Sequence, residues 1–334
     1  MAKQASESRT VVIIALVGNA GIACAKFIAA SVTGSSAMLS EGVHSLADTA
    51  NELLLLHGLK RASAPATIEH PYGHGREVYF WSFIVALLIF ALGAGVSFYQ
   101  GVHRLLTPEP VSHVWANFAV LGVSFFFEGI SWTAALRRVK RTKGKLGYLA
   151  AIRSSKDPTV FTVLLEDTAA LLGLIVAFAG IGLAAATGRP EFDAAASIVI
   201  ALVLCVTSFL LARETKGLLI GESALPQVQQ SLMRIAREHP AIAQLNGVIT
   251  TQLGPDHVLA ALSAEFEDAL TSPDIEACVE ELEIAFKKSH PEIVSVFIKP
   301  QKHSVWAARK AKLGGSNDAT TDPQRDHVPM GGTT

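Results

Sequence analysis

The sequence predicts an α-helical membrane protein with six transmembrane helices and a small C-terminal α+β domain. Half of its 334 residues are hydrophobic and the mean hydropathy is +0.38. Only 17% of the residues are charged, whereas soluble proteins average about 25%. Six apolar stretches are each long enough to cross the ~30 Å hydrocarbon core of a bilayer. Beyond Arg213 the composition changes to that of a soluble domain.

The six apolar stretches are predicted to be helices, because lipid offers no hydrogen-bond partner to an exposed backbone. They cover residues 11–32, 36–59, 78–100, 113–136, 158–186 and 192–212. Basic residues concentrate in the loops after the second and fourth stretches, while the opposite loops carry little beyond Arg104 and Arg189. The positive-inside rule therefore places both termini in the cytoplasm.

Several function classes are disfavoured by the composition. The formal net charge of −1 gives no overall attraction to nucleic acid, so we interpret the basic loops as topological signals. The three cysteines form no close pair, which argues against a disulfide framework or a cysteine-based zinc site. The start of the chain shows no signal-peptide cleavage pattern, so we expect it to be retained, and its lack of targeting features favours a bacterial inner membrane.

The C-terminal region alternates between amphipathic and strand-like patterns. Residues 225–240 and 272–291 follow a helical period, and three segments between 241 and 300 read as strands. The order αββαβ predicts a ferredoxin-like sandwich with its helices on one face, and Ser272 is the expected N-cap of the second helix. The predicted organisation is an N-terminal segment 1–10, a membrane domain 11–212, a cytoplasmic domain 213–303 and a disordered tail 304–334.

A polar stripe runs along the second predicted membrane helix. It comprises Glu41, His44, Asp48, Asn51 and Glu52, whose spacing of three and four residues places them on one helix face. One ionisable group at the bilayer centre costs about 2.5–3.5 kcal/mol on insertion scales, so the stripe indicates a function. His44 and Asp48 lie one turn apart and can reach one ion. Imidazole and carboxylate suit Zn²⁺ and tolerate Mn²⁺, Fe²⁺ or Co²⁺.

The fifth predicted helix supplies further candidate ligands, because Glu166 and Asp167 are adjacent in an apolar span. Either acid could complete a site with His44 and Asp48. The alternative is that these groups only hold helices together, with an acid paired to Lys26 or to another helix. Glu41, Asn51, Glu52 and Glu128 are candidate accessory or proton-relay groups, while Asn19 and Lys26 are expected to be structural partners.

These residues resemble the cation diffusion facilitator family of zinc-type transporters over about residues 11–299. The resemblance depends on the six helices, the αββαβ domain, "TGSSAMLSEGVHSLADT" in the second helix and "HPYGHGR" before the third. It implies that the second and fifth helices each supply an (H/D)xxxD pair to a tetrahedral site. The first pair is His44 and Asp48, and Asp167 matches the final residue of the second pair. The position four residues earlier is Val163, which cannot bind a metal, so Glu166 is the candidate replacement.

The resemblance also implies a dimerising cytoplasmic domain. Its second helix lacks the histidine that is usual near its start, so we expect weak metal binding there or none, although His257, His290 and His303 are present. His70 and His74 in the loop before the third helix form a candidate secondary metal site, with a solvated loop as the alternative.

Together these features predict a metal/proton antiporter that exports a divalent cation, with zinc as the first choice and manganese or iron as alternatives. Its expected partners are the ion, protons, lipid and a second copy of the chain, without nucleic acid or a prosthetic group. A transport-inactive regulatory subunit is the second interpretation, because of Val163. A membrane metalloenzyme is disfavoured, because the membrane region offers few histidines.

Overall fold

The computed structural model describes residues 2–144 and 147–312, and each of the six predicted apolar stretches is helical in it. The first two stretches are α1 and α2, and the third is divided into α3, a π-helical segment and α4. The fourth, fifth and sixth stretches are α5, α7 and α8, with the short helix α6 between α5 and α7. The bounds are Ala2–Thr33 (α1), Ser36–Ala62 (α2), Glu77–Leu88 (α3), Ile89–Ala94 (π), Gly95–Leu106 (α4), Val114–Thr142 (α5), Tyr148–Ser154 (α6), Pro158–Thr187 (α7) and Glu191–Ile220 (α8).

Four of these segments are long and apolar enough to cross a membrane: Glu77–Leu106, Val114–Arg141, Pro158–Thr187 and Glu191–Ile220. The described apolar part of α1, Asn19–Thr33, is shorter. Helix α2 has sufficient length, but it carries the charged stripe. The structure thus confirms a mostly helical fold with four membrane-capable helices in its described part, and the crossing of the bilayer by α1 and α2 stays a prediction.

The first compact unit runs to Leu225 and also includes Thr251–Leu259. Its helices approach closely at small residues, as is usual for helices in membranes. A Cβ added at Gly101 of α4 would lie under 3.0 Å from the Ile198 side chain of α8. A Cβ added at Gly180 of α7 would similarly meet Ala196 of α8. These glycines bring α8 against α4 and α7.

The connection between α1 and α2 is unusually tight, since only Gly34 and Ser35 separate the two helices. Gly34 has a φ of +71°, in the left-handed region that favours glycine. The Ser35 side chain accepts a hydrogen bond from the Met38 backbone N–H and caps α2. This connection fixes where the polar stripe of α2 begins.

The second unit begins at Pro226 and follows the predicted αββαβ order. Its three strands form a sheet in the order β1-β2-β3. Leu232, Leu262, Leu282 and Phe286 are among its most buried side chains. Its elements are Pro226–Arg237 (α9), Ile242–Gly254 (β1), His257–Phe266 (β2), Ser272–Ser289 (α10) and Ile293–Pro300 (β3).

The N-cap of α10 is Thr271, so the prediction of Ser272 is wrong by one residue. The Thr271 hydroxyl and backbone N–H both donate to the Asp274 carboxylate, at 2.6 and 2.8 Å, in a capping box. These hydrogen bonds lower the pKa of Asp274, with the side-chain bond as the larger cause. Thr271 outcompetes Ser272 because it is the residue three positions before the acid.

Residues 303–312 form a further helix, α11 (His303–Lys312), where the sequence predicts the beginning of a disordered tail. Trp306 explains the helix: a Cβ added at Gly247 of β1 would lie under 3.0 Å from its ring, so α11 is packed onto the sheet. Gly247 leaves the space for this indole. The rest of the predicted tail, 313–334, lies outside the described residues.

Candidate metal site

Three of the five stripe residues of α2 are buried in the membrane unit, and Asp48 and Glu52 are partly buried. Glu41 and Asn51 are fully buried and His44 is 1% exposed. The outward positions Leu46 and Leu53 are about half exposed and face away from the stripe. The Glu41 carboxylate is buried together with the Lys26 ammonium, with which it forms an ion pair.

His44 and Asp48 form the pair that the sequence predicts. The Nδ1 atom of His44 lies 3.3 Å from Oδ1 of Asp48, within ion-pair distance. The two groups are not aligned for a hydrogen bond. Among the described residues, both His44 nitrogens and this Asp48 oxygen are buried without a hydrogen-bond partner. Burying unpaired polar atoms is costly, so these atoms are available to a ligand.

Glu166 of α7 is joined to the same stripe. Helix α7 begins at Pro158, and the Asp157 side chain caps it by accepting from the Thr159 N–H. Two turns further along, the Asn51 amide of α2 donates to Glu166 Oε1 at 2.7 Å. Since Asn51 is three residues after Asp48, this bond places the Glu166 carboxylate beside the candidate pair. The oxygen of the Asn51 amide group, Oδ1, is buried without a hydrogen-bond partner in the described chain.

Asp167 points toward a different helix. The Ser131 hydroxyl of α5 donates to Asp167 Oδ2 at 2.8 Å. Within residues 2–144 and 147–312, no three His, Cys, Asp or Glu side chains are arranged as one metal-binding group. The candidate ligands are thus brought near one another through Asn51, but they are not assembled into a tetrahedral site.

Val163 lines a cleft between α5 and α7. The cleft has a volume of about 250 Å³, and its lining also includes Ser131, Arg138 and Thr159. Arg138 lies 3.7 Å from the carboxylate of Asp157 near the start of α7. The position where the family pattern requires a ligand is therefore part of a cleft wall, and the cleft reaches the serine that holds Asp167.

The remaining stripe residues, Glu41 and Glu52, are bound to α1. The Asn19 amide donates to Glu52 at 3.1 Å, and the Lys26 ammonium donates to Glu41 at 3.0 Å. This agrees with the prediction that Asn19 and Lys26 are partners of acids. Glu128 of α5 is half-buried. Its role as a relay stays a prediction.

The loop before α3 brings His70 and His74 together. Their ring centroids are 4.5 Å apart, and Nδ1 of His74 is buried without a hydrogen-bond partner among the described residues. Both rings line a cavity of about 520 Å³, together with Glu69 and Glu77. Imidazole and carboxylate groups around one cavity are compatible with a metal ion.

The histidines of the second unit have local partners. His290 Nδ1 lies 3.2 Å from Glu292, and His303 Nδ1 lies 3.1 Å from the Asn246 side-chain oxygen. Weak metal binding in this unit, or none, stays a prediction.

Two residues of the membrane unit were missed by sequence reasoning. Ser131 holds Asp167, and its only signal is its position three residues after Glu128 in an apolar helix. Asp193, in the first turn of α8, is buried and binds the N-terminus of α2. The sequence does not indicate this contact, because an acid near a predicted membrane interface is not by itself a sign of binding to another helix.

Comparison with known proteins decides the family, because the cation efflux transmembrane domain family matches residues 12–220. The chain belongs to the cation diffusion facilitator family. Its apolar helices and this membership make it a multi-pass membrane protein of a transporter family. The matched region contains every candidate ligand on α2 and α7.

Several curated members of the family are similar to this chain. The mitochondrial proton-coupled zinc antiporter SLC30A9 of Homo sapiens is 36% identical over 262 residues, which is 77% of this chain and 46% of that protein. Metal tolerance protein C4 of Arabidopsis thaliana is 32% identical over 225 residues, 67% of this chain and 49% of that protein. The magnetosome protein MamM of Paramagnetospirillum magneticum is 31% identical over 123 residues, 35% and 38% of the two chains. The chain spans about half the length of the first two relatives.

Proposed function

We propose that this chain exports a divalent metal cation in exchange for protons by alternating access, with Zn²⁺ as its first substrate. The observation that supports this most directly is the buried His44–Asp48 pair with unpartnered ligand atoms, bridged by Asn51 to Glu166. Relatives named as a proton-coupled zinc antiporter and a metal tolerance protein support the same class.

The proton coupling follows from the ligand chemistry. Imidazole and carboxylate groups bind a metal in their deprotonated form, so an arriving ion displaces protons from His44, Asp48 and the acids of α7. Protons that arrive from the opposite side compete for the same atoms and release the ion. Each cycle thereby moves the cation in one direction and protons in the other.

The cleft between α5 and α7 is the proposed cytoplasmic entrance. It is lined by Ser131 and Val163, and Ser131 holds Asp167. An ion that enters there would draw Asp167 away from Ser131 and toward His44 and Asp48. Glu166 would then provide the ligand that Val163 cannot. His70 and His74 are proposed as a secondary site on the loop that precedes α3.

The further assignments follow from the positive-inside rule and from the family. We propose that both termini lie in the cytoplasm, that the host membrane is a bacterial inner membrane and that two copies assemble through the α+β unit. Exposed Phe297 on edge strand β3 supports such an interface. Manganese or iron is the alternative cargo.

Flux measurements on the purified chain in proteoliposomes test the proposal. Under an imposed pH gradient, wild-type protein of dimeric mass is expected to carry Zn²⁺. Asp48→Ala and Asp167→Ala should lose at least about 10²-fold in flux, because each removes a charged ligand from a dication in a low-dielectric site. Glu166→Gln tests whether Glu166 supplies the ligand that Val163 cannot provide. The double substitution His70→Ala and His74→Ala is expected to leave most of the flux.

The second candidate function is a regulatory subunit that binds metal without moving it. Val163 and the unassembled ligands favour it. Zn²⁺ binding to a folded dimer without flux of Zn²⁺, Mn²⁺ or Fe²⁺ would establish the regulator and contradict the transporter.

A further inference from the structure

A second buried charge pair lies next to the candidate ligands. The Lys26 ammonium of α1 donates to Glu41 Oε2 at 3.0 Å and to the Ser45 hydroxyl at 2.7 Å, both on α2. The side chains of Lys26 and Glu41 are both fully shielded from solvent. A buried ion pair of this kind contributes little net stability, because desolvation of the two charges offsets their attraction. Its presence in an apolar helix pair therefore indicates another role.

The position of the pair relative to the ligands suggests that role. Glu41 precedes His44 by three residues and Asp48 by seven, so all three lie on one face of α2. Ser45, the second partner of Lys26, directly follows His44. The Lys26 ammonium is thus a fixed positive charge within about one helical turn of the proposed ligands.

The pair also touches the helix that carries the other candidate ligands. Glu41 Oε1 is buried without a hydrogen-bond partner in the described part of the chain. It faces Gly173 of α7, where an added Cβ would lie under 3.0 Å from this oxygen. Lys26 and Glu41 therefore link α1, α2 and α7 about two helical turns from Asp48 and Glu166.

We infer that Lys26 and Glu41 together set the net charge of the ion site, and with it the balance between binding and release. This inference rests on the proposed transport function. A dication among the carboxylates of Asp48, Glu166 and Asp167 would be held strongly in a low dielectric. A transporter must hold its ion tightly enough to load it and weakly enough to let it leave. The positive charge of Lys26 lowers the affinity of the site for the cation, and the negative charge of Glu41 limits that decrease.

Opposite single substitutions should therefore change metal affinity in opposite directions. Lys26→Met leaves the Glu41 carboxylate uncompensated, so Zn²⁺ should bind on the order of tenfold more tightly. Glu41→Gln leaves the ammonium uncompensated, so Zn²⁺ should bind on the order of tenfold more weakly. The double variant removes both charges and should return close to the wild-type affinity. Lys26→Arg keeps the positive charge, so its Zn²⁺ affinity should also be close to that of the wild type.

The transport kinetics provide a second readout that a purely structural role would not produce. Lys26→Met should lower both the KM and the maximal rate, because the ion is held longer. Asn19→Ala is the matched control, since it removes another hydrogen bond between α1 and α2 without changing a charge. It should leave the Zn²⁺ affinity unchanged.

The experiment is calorimetric Zn²⁺ titration of the full-length chain in lipid nanodiscs, with flux in proteoliposomes. If wild-type protein binds and carries Zn²⁺ while both single variants change affinity in the same direction, or neither changes it, the charge-setting role is contradicted. If the single variants do not fold, a Zn²⁺ affinity that departs from wild type in the double variant or in Lys26→Arg contradicts the charge-setting role. Absence of Zn²⁺ binding by the wild-type chain would overturn the proposed function, and this inference with it.

Discussion

At the scale of single residues, both candidate acids of α7 are paired with a polar side chain of another helix, while His44 and Asp48 of α2 keep buried atoms without a hydrogen-bond partner among the described residues. Asn51 holds Glu166, and Ser131 holds Asp167. His44 has both nitrogens buried and unbonded within the described residues. Since unpaired buried atoms destabilise a fold, a ligand bound at His44 and Asp48 would offset that cost. The candidate site thus combines acids held by hydrogen bonds with ligand atoms that have no hydrogen-bond partner among the described residues.

Gly173 provides a prediction at this scale. Replacing it with Ala would push a methyl group against Glu41 Oε1, which the Lys26 ion pair holds in place. We expect a loss of about 1–3 kcal/mol of stability, as is usual for overpacking. Gly182 on the same helix is the control, because its nearest neighbour would be Phe118 at 3.8 Å, an ordinary contact. Thermal unfolding in detergent would contradict the assignment if Gly173→Ala and Gly182→Ala were equally stable.

At the scale of elements, the beginning of α2 is fastened to the beginning of α8. Asp193 accepts from the Ser35 hydroxyl at 2.5 Å, from the Ser36 N–H and hydroxyl at 2.6 and 2.8 Å, and from the Ala37 N–H at 3.4 Å. A carboxylate at a helix N-terminus satisfies free N–H groups and also complements the helix dipole. We name this arrangement the Asp193 clasp.

Breaking the clasp should destabilise the membrane unit. In Asp193→Ala the donors at the start of α2 lose their buried acceptor, so we expect a loss of about 3 kcal/mol. Arg189→Ala is the control, because its ion pair with Glu191 is exposed and such pairs contribute at most about 1 kcal/mol. An unchanged thermal unfolding midpoint in Asp193→Ala would show that the clasp is dispensable.

The sequence predicted some levels of this structure better than others. The helices and strands were predictable because the length and period of apolar residues follow directly from backbone geometry. The His44–Asp48 pair was predictable because its spacing within one helix fixes its proximity. The partners of Glu166 and Asp167 were not, since they depend on which helices pack together. Helix α11 was likewise not predictable, because Trp306 packs against Gly247, which is 59 residues away in the chain.

At the scale of the whole molecule, charge and hydropathy together predict how the chain lies in the bilayer. In the described part of the chain four helices are long and apolar enough to span it, and basic residues concentrate in the loops after α2 and α5. If α1 and α2 also cross, the loop at residue 68 and the strands of the second unit face the cytoplasm, and the loop at residue 108 faces outward. An odd number of crossings before α3 would reverse this arrangement.

Topology is testable by thiol labelling. In a cysteine-free background expressed in bacteria, Pro108→Cys should react with a membrane-impermeant maleimide in intact cells. Ile68→Cys and Asp268→Cys should react only after permeabilisation. All three positions are exposed, so accessibility within the protein does not limit the reaction. Labelling of Ile68→Cys in intact cells would place the loop after α2 outside and contradict six crossings.

The Asp193 clasp has a mechanical consequence for the ion site. Because α2 is held at Ser35 and Ser36, a rigid movement of this helix is a rotation about that end. At about 1.5 Å per residue, His44 is about 12 Å and Asn51 about 22 Å from the pivot. A tilt of about 10° then displaces His44 by about 2 Å and Asn51 by about 4 Å. A rotation of α2 about Asp193 would therefore move Asn51, which binds Glu166, about twice as far as His44.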